Sequence, residues 1–183
     1  VFDEEPAHKD IFRGIAFSEQ GELPEQEVLE FGRKAALALD HAHRRGIVHR
    51  DLKPGNIFDD EGLVKIGDYG LSKFISASRR SGQTESVGTF HYMAPEIGRG
   101  IYGKEIDIYA LGIMLYEMLT GRRPFRGDDA QAVLSAILHE KPAPVHDQRP
   151  DVPPELDRVL RRALAKLLGR PELAVPDSGR NLS

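Results

Sequence analysis

"HRDLKPGN", His49 to Asn56, places a histidine, an arginine, an aspartate, a lysine and an asparagine within one short stretch, spaced by a proline and a glycine. A loop this polar is either a solvated turn or a segment that must hold charged groups in fixed directions around a phosphate. Its neighbours decide between the two. Upstream, Pro24 opens a stretch with acids at Glu25 and Glu27 and apolar residues at Val28, Phe31, Ala35, Leu39 and Ala42. That spacing predicts an amphipathic helix. Gly46 stops it, and Ile47–Val48 lead straight into the loop. Downstream, "NIF" and "LVKI" flank "DDEG", which predicts a hairpin of two short strands. Asp68 follows the second strand.

The stretch from Ser72 to Thr89 is polar and rich in Ser, Gly and Arg, a long loop of the kind that usually carries function or disorder. Further helices are predicted at Asp107–Thr120, Asp128–His139 and Pro154–Leu168, and a short one near Lys9–Ile15. The longest apolar run, Ala110 to Leu119, is too short to span a bilayer and reads as a buried helix. The chain has 183 residues, 40% hydrophobic and 30% charged, enough for one domain with a sizeable core. It has no cysteine, which excludes disulfides, thiolate catalysis and sulfur-ligated metal. A net charge of −4 argues against nucleic acid or an anionic membrane as partner. No signal peptide is visible, so the expected location is cytoplasmic, either free or as the cytoplasmic portion of a larger, membrane-anchored protein. Because the chain opens at Val1, it is expected to be a piece of something longer.

In order, the chain reads helix, polar loop, hairpin, "GDYG", long loop and "GTFHYMAPE". This order resembles the eukaryotic-type protein kinase family, over roughly Leu23 to Arg170. "HRDLKPGN" is similar to the family's catalytic loop, and "DYG" at Asp68–Gly70 to the magnesium-binding motif usually written DFG. "APE" at Ala94–Glu96 is similar to the end of the activation segment, and "DIYALG" at Asp107–Gly112 to the start of a long buried helix. One tripeptide alone is a weak signal; four in order are strong. The resemblance implies an α+β, mainly helical fold: the carboxy-terminal lobe of a kinase domain, with a short β-hairpin at the catalytic loop. Residues 1–170 would form this partial domain and residues 171–183 a disordered tail. No G-x-G-x-x-G motif and no V-A-I-K-like strand lysine precedes the loop, so the amino-terminal lobe is expected to be absent from this chain.

The resemblance also implies a Ser/Thr protein kinase that uses ATP and Mg²⁺ to phosphorylate protein hydroxyls when the full domain is present. The alternative is a kinase-like scaffold or binding module that does no chemistry. Phosphoryl transfer has a loose transition state, so the protein mainly positions groups and neutralises charge. By resemblance, Asp51 orients the substrate hydroxyl and accepts its proton, while Lys53 faces the transferring phosphate. Asn56 and Asp68 offer oxygen ligands that suit Mg²⁺, and Phe58 joins them at the nucleotide. Thr89, bonding toward Asp51 and Lys53, and Glu117, receiving a basic substrate residue, position the substrate. Arg50 is regulatory, pairing with a phosphate on Thr84 or Ser86. His49, Tyr69, Glu96 and Asp107 are structural. His49 and Tyr69 stack, and a metal-ligand role for His49 is not expected. Glu96 pairs with an arginine, for which Arg170 is the candidate. Asp107 combines helix capping with hydrogen bonds to the catalytic-loop backbone.

Overall fold

The computed structural model of the protein describes residues 22–60, 62–69, 89–100 and 103–166. The helix expected near Lys9–Ile15, the loop bearing Thr84 and Ser86, Arg170 and the tail from 171 lie outside them. Helix α1 spans Glu25–His43 and buries Val28, Phe31, Ala35, Leu39 and Ala42, the same five residues that the 3.6-residue period picks out. Gly46, at φ 73°, turns the chain where a side chain would be strained. Lys53 is extended, and a 3₁₀ turn over Pro54–Asn56 leads into β1. Strands β1 (Ile57–Asp60) and β2 (Leu63–Ile66) pair antiparallel, with Ile57 opposite Ile66 and Asp60 opposite Leu63. Asp59 and Asp60, expected in the turn, belong to the ladder instead. That leaves two positions for the turn, and Gly62 there has φ 85°, the positive φ that a two-residue hairpin turn requires.

Helix α2, Glu105–Thr120, is buried on almost every side, including Ile106, Tyr109, Ile113, Met114, Met118 and Leu119. A helix that is apolar all round sits at the centre of a core; α1 and the helices Val145–Gln148 and Pro154–Ala163 pack against it, while the helix Ala130–His139 packs on the 3₁₀ turns Thr89–Tyr92 and Pro95–Arg99. It begins at Glu105 rather than at the expected Asp107, and Gly121 closes it at φ 63°. Helix α3 (Ala130–His139) is capped by Asp129, whose Oδ1 accepts the Ala132 N–H at 2.7 Å. Two elements follow: a short helix α4, Val145–Gln148, and helix α5, Pro154–Ala163. The sequence hides α4 because the prolines of "KPAPVHDQRP" obscure any period. Tertiary bonds hold it: the buried Asp157 accepts the Val145 N–H at 2.8 Å. Helix α5 stops short of the predicted Leu168 because Leu164 leaves helical geometry and buries its side chain in the core.

Two close contacts fix this arrangement. Arg149 donates to the carbonyls of Leu23 at 3.2 Å and Leu119 at 2.8 Å, tying the start of α1 to the end of α2. Gly112, midway along α2, lies where an added Cβ would come within 3.0 Å of Ala163 Cβ and 3.2 Å of Leu164 Cδ2. Gly112→Val is therefore expected to overpack the α2–α5 contact and to destabilise the domain by about 1–3 kcal/mol. Urea denaturation checks this, and an unchanged midpoint would refute the close packing. Among the described residues, no helix is long and apolar enough to cross a membrane.

Candidate active site

The quoted loop hangs from helix α2. Asp107 Oδ2 accepts the His49 N–H at 2.8 Å, and its Oδ1 accepts the Arg50 N–H at 2.9 Å. The expected capping role of Asp107 is not observed. Lys104 occupies the cap position of α2, and both Asp107 oxygens turn away from their own helix toward the loop. Arg50 itself has φ 72°, a conformation that costs a non-glycine residue about 1–3 kcal/mol and persists only where neighbours over-determine it. The two hydrogen bonds to one buried carboxylate supply that constraint.

Beyond Arg50, the side chains converge. Lys53 Nζ lies 2.9 Å from Asp51 Oδ2, because the extended backbone at Lys53 sends alternate side chains to one side. Asn56 Nδ2 donates to the Asp51 carbonyl at 2.8 Å and lies 3.5 Å from Asp51 Oδ2. The 3₁₀ turn brings Asn56 back beneath Asp51. With its nitrogen committed, the Asn56 amide oxygen is the atom left to act as a ligand.

His49 joins this cluster to the end of the hairpin. Its Nδ1 accepts the Asp51 N–H at 3.2 Å, which requires the proton on Nε2, and Nε2 donates to the Gly67 carbonyl at 2.7 Å. The Gly67 N–H donates in turn to the Asn56 carbonyl at 2.9 Å. Gly67 is thus held on both sides, and Asp68 follows at φ 58° with an exposed side chain. A Cβ on Gly67 would fall 2.8 Å from the Phe58 ring, so glycine at 67 lets Phe58 lie against the backbone leading to Asp68. Tyr69 packs on His49 with ring centroids 4.8 Å apart. Burial pushes the Tyr69 hydroxyl above the usual tyrosine range, and the Asp107 charge adds to this.

The metal candidates fit a partial site. Asn56 offers a neutral oxygen, and the Asp68 carboxylate makes no hydrogen bond or ion pair among the described residues. There, no group of three or more His, Cys, Asp or Glu residues stands ready to hold an ion. Two oxygen donors suit Mg²⁺, which keeps several waters and takes phosphate oxygens rather than an all-protein cage.

Glu117 departs from its expected role. It is buried, with Oε2 accepting the Tyr92 O–H at 2.8 Å and Oε1 accepting Arg123 Nε at 3.0 Å. Arg123 also stands 5.5 Å from the centre of the Tyr92 ring. The cation on Glu117 is therefore the chain's own, and the carboxylate anchors the turn Thr89–Tyr92 to α2 instead of presenting itself to a substrate. Burial, with the Glu117 charge second, drives the Tyr92 hydroxyl far above the ordinary tyrosine range. Thr89 opens the same turn, and its side chain is outside the description. Glu96 is buried and lines a cavity with Glu105, Tyr109 and Arg162; its expected partner Arg170 lies beyond the described residues.

Sequence reasoning passed over His43, Tyr92 and Arg123. His43 carried a usable signal: it continues the apolar stripe four residues after Leu39, so it faces inward. Arg123 carried none, since "GRRPF" reads as a charged turn.

Comparison with known proteins agrees with this geometry. A family model described as the protein kinase domain matches residues 4–170. A probable serine/threonine-protein kinase of Clostridium perfringens is 38% identical over 160 residues, covering 86% of this chain and 23% of its own. The serine/threonine-protein kinase PrkC of Bacillus subtilis is 37% identical over 148 residues, 80% of this chain and 23% of its own. PknB of Mycolicibacterium smegmatis is 40% identical over 150 residues, 80% of this chain and 24% of its own. The chain spans about a quarter of the length of these relatives. With the match covering nearly all of the loop, hairpin and helices described above, the chain belongs to the protein kinase domain family.

Proposed function

We propose that residues 1–170 are the carboxy-terminal lobe of a Ser/Thr protein kinase domain and carry the phosphotransfer centre of the protein that contains them. The observation that carries this is the cluster at the loop: Lys53 Nζ 2.9 Å from Asp51 Oδ2, with Asn56 tied to the Asp51 carbonyl at 2.8 Å. When bound, Mg²⁺-ATP supplies the γ-phosphoryl group, and Asn56, Asp68, Lys53 and Phe58 are the residues that would hold it. Asp51 orients the substrate hydroxyl and takes its proton as general base. The Lys53 ammonium, already beside Asp51, places positive charge where phosphoryl charge is greatest. A scaffold that does no chemistry has no physical need for this arrangement, nor for the left-handed backbone at Arg50 and Asp68. With both Glu117 oxygens engaged by Tyr92 and Arg123, selection of a basic substrate residue through Glu117 is not carried forward.

The test is ATP-dependent phosphorylation of casein by the full-length protein, with phosphoserine and phosphothreonine as the products. Absence of transfer at every Mg²⁺ or Mn²⁺ concentration would overturn the reading. Asp68→Asn refines it. Losing one anionic oxygen weakens metal binding, so kcat should drop at low Mg²⁺ and recover partly as Mg²⁺ or Mn²⁺ rises. A defect insensitive to metal would remove Asp68 from the ligand set.

A further inference from the structure

We propose that His43 is a positioning residue for the phosphotransfer loop, acting through Asp107; this rests on the reading of that loop given above. His43 is the last residue of α1, and its Nε2 lies 2.8 Å from Asp107 Oδ2. The same oxygen accepts the His49 N–H, and the other accepts the Arg50 N–H. His43 therefore supplies the one side-chain donor to Asp107 among the described residues, beside two backbone donors. The side chains of His43 and Asp107 are 9% and 1% exposed, so water has little access to replace a missing donor. A buried carboxylate left under-satisfied relaxes toward other partners.

The geometry shows why a third donor matters. The two amides belong to the loop being positioned, so they cannot by themselves fix the carboxylate that positions them. His43 comes from α1, a separate element, and is rooted by the buried Leu39 and Ala42 on its own helix face. It holds Oδ2 in place from outside the loop. Asp51 directly follows Arg50, so a rotation of the Asp107 carboxylate displaces the proton acceptor. Misplacement of a reacting group by about 1 Å lowers rates by about a hundredfold.

Two substitutions in the full-length protein test this. His43→Leu removes the donor and keeps apolar bulk, whereas His43→Gln keeps an N–H at similar reach. For His43→Leu we expect kcat to fall about tenfold to a hundredfold, with KM for ATP and peptide shifting less than about twofold. His43→Gln should recover most of that loss. Hydrogen exchange at His49 and Arg50 should quicken in His43→Leu while the amides of α5 stay as protected as before. Wild-type kcat with unchanged exchange in His43→Leu would overturn the proposal. So would an equal loss in both variants, or faster exchange throughout the domain, since each describes a merely structural histidine. If the wild-type protein transfers no phosphate but His43→Leu still loosens only His49 and Arg50, the positioning role stands and the phosphotransfer reading falls.

Discussion

Asp51→Asn in the full-length protein is expected to lower kcat for phosphorylation of a Ser/Thr peptide by about 10²–10⁴-fold, the range that a positioned general base contributes. The substitution is nearly isosteric, and the structure shows what it spares. Asn56 bonds to the Asp51 backbone carbonyl, not primarily to its side chain, so the position of Asn56 should persist. His49 Nδ1 also receives the Asp51 backbone N–H, which no side-chain change removes. The partner that does change is Lys53, whose ammonium loses the carboxylate at 2.9 Å. Affinity for ATP should therefore change little while turnover collapses. Steady-state kinetics with varied ATP and peptide separate the two, and turnover within a few-fold of wild type would remove Asp51 from its assigned role.

The second large effect is expected at Asp107→Ala. The substitution leaves the N–H groups of His49 and Arg50 and the imidazole of His43 without their common acceptor. An unsatisfied buried polar group costs about 1–3 kcal/mol, and breaking a buried charged network about 3–5 kcal/mol in total. The domain should lose stability on that scale, with a lower urea midpoint. Arg50 should relax out of its left-handed conformation, so phosphotransfer should fail even in the fraction that remains folded. Asp107→Asn keeps one acceptor oxygen and should lie between wild type and Asp107→Ala in both measurements. A loss under about 1 kcal/mol for Asp107→Ala would show that the loop is held by something other than this carboxylate.

The helices and the hairpin were legible because their signals are local. The buried face of α1 follows from the period of five apolar residues, and the hairpin from two short apolar runs around a glycine turn. The order of motifs around Asp51, Asn56 and Asp68 was legible as well, since chemistry fixes residue types at short spacing. What was not legible depends on distant partners. Asp107 was expected to cap its helix as well as to bond the loop, and the capping half fails because both its oxygens turn to residues 57 and 58 positions away in sequence. Glu117 looks like a free acid until Arg123 and Tyr92 are found on it. Helix α4 has no period of its own and exists through Asp157. In each case a tertiary hydrogen bond overrides what the local sequence suggests.

Helix α2 also acts as a ruler. Asp107 near one end holds the loop His49–Asn56, and Glu117 near the other holds the turn that ends the long polar segment. The two acids are ten positions apart on one uninterrupted helix, which sets them about 15 Å apart along its axis. Inserting or deleting one residue between them would change this length by only about 1.5 Å but would swing one acid about 100° around the axis relative to the other. One anchor would then face the core or the solvent while its partner kept its place. The span from Asp107 to Glu117 is therefore a fixed unit of measure for the two surfaces it joins.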